Sequence, residues 1–396
     1  MLDRLYVKLQ CELGPGNRAV GKLMENFSDI RGIFSATPAQ LKSVLRSNKA
    51  EKILNGDFKR TDEILKLCAE GGIKVIGYED SAFPERLCQI PDPPALIYCK
   101  GNLPEIDDNV AIAIVGPRKP DEYGIKAAFS LSARLARGGV VIISGGALGI
   151  DTEAHNGALW AKGKTIAVLG CGMMFPYLQA NAPLREEIAE CGAIISEFPP
   201  DYGAYKANFP MRNRIMSGLG LGTVVVQAGS RSGSLITARH AAEQGRDVFV
   251  IPGPIGEKLY AGSNQLLKDG AKPVLNVMDI LEEYVETYPH RLLLDRMFSK
   301  EEPSISKGFQ QYHNAYNPKK KAEDIETAPK AVEITELSCS KEAAAIYEAI
   351  KNGADSPDII AEYSGLETTG VIVGLTELEI GGYITAAPGG RYKISE

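Results

Sequence analysis

Between residues 111 and 251 six apolar runs recur at near-regular intervals, and no other feature of the chain narrows its possible folds so far. They are AIAIVG (111–116), VVIIS (140–144), TIAVLG (165–170), AIIS (193–196), TVVVQ (223–227) and DVFVI (247–251). Amphipathic stretches such as IKAAFSLSARLAR and LITARHAAEQ lie between them. Continuous Val/Ile runs without polar alternation belong to strands buried on both faces, and the intervening helices supply the cover. The pattern predicts an α/β domain built on a doubly wound parallel sheet.

The flanks have different textures. Residues 1–66 read as a small helical domain: LYVKLQCEL, a GPGN turn, AVGKLMENF, then SATPAQLKSVL with a Ser/Thr-Pro helix start. A helix–GPG–helix turn occurs in helix-hairpin-helix units that offer backbone N–H groups to phosphate, and equally as a plain turn between packed helices. Both readings stand. Short extended pieces, IKVIGY and ALIYC, surround IPDPP before the strand–helix rhythm of the main domain, 70–288, sets in. Residues 289–337 are polar and aperiodic and read as a linker. The tail, 338–396, has three helix-like stretches and then YITAAPGGRYKI, a hairpin with a PGG turn: the order of a winged helix. From Cys339 onward it carries nine acidic residues against four basic ones, a net of −5 that would repel DNA and suits protein contact or packing.

Composition sets outer bounds. No apolar run reaches the eighteen or so residues of a membrane span, and the start has no signal-peptide core. Seven cysteines with no CxxC pair, and four histidines with no HExxH, argue against disulfides or a metal and for a reduced, cytoplasmic compartment. The net charge of −6 excludes a uniformly basic surface but not a local basic cleft.

In an open parallel sheet, ligands bind beyond the carboxyl ends of the strands. The loops there are GPRKP (116–120), SGGALGID (144–151), EFPP through NFPMRNR (197–214) and AGSRSGS (228–234). Glycines let the backbone approach a guest, and each loop opens a helix whose first N–H groups are unpaired. Arg118, Lys206, Arg212, Arg214 and Arg231 add charge around the rim, so a phosphate-rich anion is the expected guest. GPRKP lacks the GxGxxG spacing of a nicotinamide site, and no stretch supplies GxxxxGK[ST], so no cofactor is expected. Asp151 and His155 are i,i+4 neighbours and conceivable as a general-base pair. The alternative is a helix cap and a packed imidazole, which is favoured because no Ser or Cys nucleophile has a recognisable setting beside them. Cys171 is read as an inert strand-end thiol. Arg212 and Arg214 stand i,i+2 and cannot share a helix face. At a helix start both can flank an anion; otherwise either belongs to a buried carboxylate network, with Glu197 the nearest acid in the motif. Phe209 either stacks on a base or fills the core.

Assembled, SGGALGIDTEAHNGAL, ISEFPP, NFPMRNRIMSGL, RSGSLITARHAAEQGRDVFVIPG and GSNQLLKDGA resemble the DNA-processing protein A (DprA/Smf) family in order and spacing across about 140–272. FPERLCQIPDPPALIYCKG and the tail extend the likeness over nearly the whole chain. The resemblance implies an extended Rossmann-like domain between a helix-hairpin-helix/SAM-like helical domain and a winged helix. It implies a non-enzymatic, single-stranded-DNA-binding homodimer that protects incoming strands and helps load the RecA recombinase in natural transformation and recombination. The DNA site carried over by motif comprises Arg118, Ser144, Gly145, Gly146, Lys206, Phe209, Arg212, Asn213, Arg214, Ser232, Gly233 and Ser234. Pro117 stands where the family has Ser or Thr, which removes a hydroxyl and one N–H from the first loop. A rival is a nucleoside-monophosphate phosphoribohydrolase similar to the lysine-decarboxylase-like family, but AGSRSGSLITA lacks the glutamate of that family's PGGxGTxxE turn.

Overall fold

A computed structural model of the protein describes residues 2–45, 49–297, 308–310, 312–313, 340–351, 357, 360–361, 366, 368–380, 383–387 and 391–394. It divides into two compact units, Met1–Pro318 and Lys319–Glu396.

The first unit is organised on a nine-stranded sheet: β1 (Lys74–Gly77), β2 (Leu96–Gly101), β3 (Ala111–Val115), β4 (Val141–Ser144), β5 (Thr165–Leu169), β6 (Ala193–Ser196), β7 (Gly222–Val225), β8 (Asp247–Val250) and β9 (Lys272–Pro273). All six apolar runs are strands. Their spatial order is β1-β2-β6-β5-β4-β3-β7-β8-β9, parallel from β6 through β9. β2 joins β6 antiparallel, and β1 joins β2 antiparallel, so the sheet is mixed rather than wholly parallel. From β3 the chain builds outward one way to β6, then returns to place β7 on the other side of β3. That reversal between β3 and β7 is the switch point, where loops after adjacent strands diverge and leave a crevice.

The central strands are apolar because both faces are covered. Ala113, Val115, Ile143 and Val168 face a core completed by Ile215, Met216 and Leu219 of the helix Asn208–Leu219. Ile112, Ile114, Ile142 and Val224 face the helices Glu122–Arg137 and Ile150–Trp160. Gly157 lets those two helices meet closely: a Cβ there would strike the Phe129 carbonyl.

The helical region at the start runs to Glu70 and is not a separate bead, because its core of Val7, Leu9, Leu23, Ile33 and Ile64 continues into Leu96 and Tyr98 of β2. Part of the expected linker is also built into the unit. Met297 is buried, and Phe309, Tyr312 and His313 pack on Phe129 with ring centroids 5.3–5.8 Å away. His313 reaches Glu153 at 3.1 Å and Gly308 lies against the Trp160 ring. Polar composition hid these aromatic anchors; the rest of 289–337 beyond 313 lies outside the described residues.

In the second unit, helices Lys341–Lys351 and Thr368–Ile380 pack through Ala343, Ile346, Val371, Leu375 and Leu378. β10 (Ile384–Ala387) and β11 (Arg391–Ile394) pair antiparallel as the wing. Of the expected middle helix only 357, 360 and 361 are described as helical.

Candidate nucleic-acid interface

A cleft of about 340 Å³ opens at the switch point. One wall is the loop after β3, with Gly116, Pro117 and Arg118; the other is the turn after β7, with Ser232, Gly233 and Ser234. Phe209, Arg212 and Asn213 on the helix Asn208–Leu219 close its base. Seven of the residues expected from sequence therefore meet at one place.

Their roles differ from the sequence reading in physical detail. Arg118 is exposed, and its guanidinium lies over the Phe209 ring, 5.2 Å from the centroid. Phe209 is half-buried and fits because Gly170 stands beneath it, where a Cβ would meet the ring at 2.8 Å. Arg212 is 5% exposed. It donates to the Gly145 carbonyl at 2.7 Å and to the Val168 carbonyl, and its Nε donates to Asn213 Oδ1 at 3.2 Å. It is thus a bracket that fastens the glycine loop to the ends of β4 and β5, with only its flank on the cleft. Asp151 stands beside it and accepts the Ala147 N–H at 3.3 Å. Burial pushes the Asp151 carboxyl up and the Arg212 guanidinium down, and each charge opposes the other's shift. Asn213 extends the bracket across the cleft with a long bond to the Gly233 carbonyl, 3.4 Å.

The loop conformation depends on glycine at the points of closest approach. Gly146 (φ +64°) and Gly149 (φ +84°) occupy the left-handed region. A Cβ on Gly149 would strike the Pro117 carbonyl, and a Cβ on Gly145 would strike the Arg212 guanidinium. Pro117 costs the loop a donor, yet its carbonyl is used, accepting the Ile150 N–H at 3.2 Å. Gly145 and Gly146 line a smaller pocket next door, shared with Phe209 and Arg212.

Three expected contacts fall elsewhere. Ser144 is fully buried and its hydroxyl donates to the Ile114 carbonyl at 2.7 Å, so it secures the strand end. Arg214 is also buried. It pairs with Glu197 at 2.9 Å and approaches Asp92 at 3.7 Å, on the opposite side of its helix from the cleft. The reason is helical phase: the helix starts at Asn208, a full turn before the arginines, so residues i and i+2 diverge instead of flanking its free N–H groups. Lys206 is exposed just before that helix and lies outside the cleft's lining. Lys119 and Arg231 are exposed on the two flanking loops.

The same network decides the GPGN turn. The Gly16 N–H donates to Glu197 Oε1 at 2.9 Å, and Gln10 donates to the Glu197 carbonyl at 2.6 Å. That N–H is spent on a buried carboxylate, which is the packed-turn reading. A larger cavity, about 580 Å³, opens beside β1, but it is lined by Asp3 and Asp80 with Lys74 as its cation, a poor setting for a polyanion.

Neither candidate for chemistry has a reactive setting. His155 is fully buried, with Nδ1 2.7 Å from Thr165 Oγ1, and burial pushes its imidazole down to about 3. Asp151 lies within the first turn of its helix, with Gly149 at the cap position. Cys171 is 2% exposed and burial raises its thiol to about 11. Sequence reasoning missed Tyr177, whose ring is 5.5 Å from Phe209, and Asn181, which donates to the Gly146 carbonyl at 3.1 Å. Both lie in MMFPYLQAN, which carries no charge or glycine signal. Among the described residues no helix is long and apolar enough to cross a membrane, and no group of three or more His, Cys, Asp or Glu could hold a metal.

Fold and cleft together define a class: a Rossmann-like domain with a glycine-lined cationic cleft at its switch point, followed by a winged helix. Residues 74–285 match the family described as DNA recombination-mediator protein A, and residues 327–390 match the DprA winged helix domain. The chain belongs to this DprA/Smf family. It is 38% identical to the DNA processing protein DprA of Bacillus subtilis over 252 residues, 64% of this chain and 84% of that one. It is 33% identical to Protein Smf of Escherichia coli over 351 residues, 88% and 85% of the two chains. The X-ray structure of DNA processing protein A from Streptococcus pneumoniae superposes with a TM-score of 0.64 at 34% identity, covering 72% of this chain and 98% of that one. A structure addressing the single-stranded DNA binding mode of DNA processing protein A from Helicobacter pylori matches with a TM-score of 0.50 at 32% identity, covering 55% and 97%.

Proposed function

We propose that this protein binds single-stranded DNA along the switch-point cleft, without catalysis, and as a homodimer helps load the RecA recombinase onto the bound strand during recombination and natural transformation. The observation that carries the reading is the pairing of Arg118 with Phe209 at the mouth of a glycine-lined cleft. A cation for the phosphate and a ring for the base are what a sequence-tolerant single-strand site needs. The Helicobacter relative's single-stranded DNA binding supports the choice of guest. The RecA step and the dimer rest on family membership. The absence of catalysis is supported by the settings of His155 and Cys171: both are buried, the imidazole is a very weak base and the thiol keeps its proton.

Among the described residues, Arg118 on the cleft and Lys119, Lys206 and Arg231 on the segments flanking it are exposed cations. If each neutralises one phosphate, counterion release at about 0.7 per phosphate gives a log–log salt slope near −3. Arg212 and Arg214, counted as rim charges from sequence, drop out, and Lys119 joins the three that remain. The test is a titration with single- and double-stranded oligonucleotides across a salt series. Single strands of different sequence should bind within a few fold of one another, and duplex less well, because its paired bases cannot reach Phe209. A flat salt response or a strong preference for one sequence would overturn the reading. For the RecA step, RecA assembly on an oligonucleotide should accelerate when this protein is added, and no acceleration counts against it.

A further inference from the structure

We infer that Tyr177 is a second stacking position for the bound strand, beside Phe209, and that residues 173–181 form a lip that holds it there. The inference rests on the single-strand reading above and assigns a residue that no recognised motif contains.

The geometry has three independent parts. First, the Tyr177 and Phe209 rings lie 5.5 Å apart at 43° to one another, and both side chains are half-buried, with part of each still open to solvent. Second, the lip is fastened to the DNA-facing loop. Asn181 Nδ2 donates to the Gly146 carbonyl at 3.1 Å and to Thr152 Oγ1 at 3.0 Å, and Arg185 donates to the Leu178 carbonyl at 3.1 Å. Third, Leu178 has φ +49°, one of two described non-glycine residues in the left-handed region. A branched apolar side chain adopts that region only where its surroundings impose it, and such strain collects at functional loops. The residue that the strained turn places is Tyr177.

Volume decides how a base would use the pair. The pocket behind the rings, lined by Gly146, Gly170, Tyr177, Arg185 and Phe209, measures about 20 Å³. That admits one water and no nucleobase. Bases therefore lie on the rings rather than in the pocket. The 5.5 Å between centroids exceeds the roughly 3.4 Å rise per base of a stacked strand. Two consecutive bases must unstack from each other, one to each ring, as single strands do on aromatic platforms. A duplex cannot meet that demand.

The test compares Tyr177→Phe, Tyr177→Leu and Tyr177→Ala in the full chain, by oligo-dT titration at several salt concentrations with a thermal midpoint for each. Tyr177→Phe should bind like the wild type. Tyr177→Leu and Tyr177→Ala should bind about tenfold more weakly, the loss of one stacked base, with an unchanged salt slope because no phosphate contact is touched. Tyr177→Leu keeps apolar cover over Phe209, so it decides the matter if the alanine variant does not fold. Wild-type affinity in Tyr177→Leu overturns the inference. So does a weaker complex with a shallower slope, which would mean that the residue merely props the cleft open. If the wild-type protein itself fails to bind oligo-dT, the single-strand reading has failed instead, and the inference falls with it.

Discussion

Replacing Arg214 with alanine should make the protein easier to unfold while leaving its grip on DNA intact. Arg214 Nη2 lies 2.9 Å from Glu197 Oε1, and each side chain is only 3% exposed. The other donor to that oxygen is the Gly16 N–H, at 2.9 Å. Alanine would therefore leave a buried carboxylate with one neutral donor and no counter-charge. Breaking a buried pair from one side costs about 3–5 kcal/mol, far more than forming it contributes. At roughly 2–4 °C per kcal/mol for a large domain, the thermal midpoint should fall by on the order of 10 °C. The assay is a melting curve for each protein, together with an oligonucleotide salt series run in the cold where the variant is folded. Affinity and salt slope should match the wild type, because Arg214 faces away from the cleft. Glu197→Gln combined with Arg214→Leu should recover most of the loss, since the amide oxygen still accepts from Gly16 and no charge is left unpaired. A midpoint close to wild type, with a slope shallower by about 0.7, would put Arg214 on a phosphate and refute the reasoning.

The opposite profile is expected for Arg118→Ala: an unchanged midpoint and weaker binding, with the salt slope shallower by about 0.7, read in the same titrations. An unchanged slope would remove Arg118 from the phosphate contacts. The docked segment around His313 should respond to pH. Glu153, 3.1 Å away, holds the imidazole above its ordinary 6.5. The stability it contributes is complete below about 6.5 and disappears as pH rises through the raised value. Trp160, the chain's one tryptophan, packs under Gly308 and should report this as a red shift in emission over that window, abolished in Glu153→Gln. A flat profile in the wild type would show that the ion pair does not hold the segment.

What the sequence disclosed about the fold was what burial on two faces forces on composition. The strands of the parallel portion announced themselves as Val/Ile runs, and the cleft loops followed from where such strands end. Strand direction at the sheet's edge was not legible. β2 reads as a strand from ALIYC, but whether it runs with or against β6 depends on which end of the sheet the preceding helical region delivers the chain to. The candidate site was legible as a set of loops and less so as a set of roles. An arginine shows its charge in sequence and not its burial, so Arg212 and Arg214 looked alike. One braces a loop against carbonyls, and the other neutralises Glu197. Tyr177 was invisible for a related reason: its significance lies in a neighbour 32 residues away, and local pattern carries no trace of it.

The seam between the starting helices and the sheet bears on how freely members of this family can exchange parts. Glu197 receives Gly16, Arg214 and, through its carbonyl, Gln10, whose amide oxygen in turn accepts from Tyr98 at 2.8 Å. Arg60 clasps Asp201 with two bonds a few residues further on. These positions are scattered over just more than two hundred residues, yet they fit one another as a lock fits its key. A chimera that grafts a different helical region onto this sheet keeps only the sheet's half of each contact unless the graft carries the matching residues. It should fold well only when Gln10, Gly16, Tyr98, Glu197 and Arg214 travel as a set, whereas the exposed Arg60–Asp201 pair can be exchanged at little cost to stability.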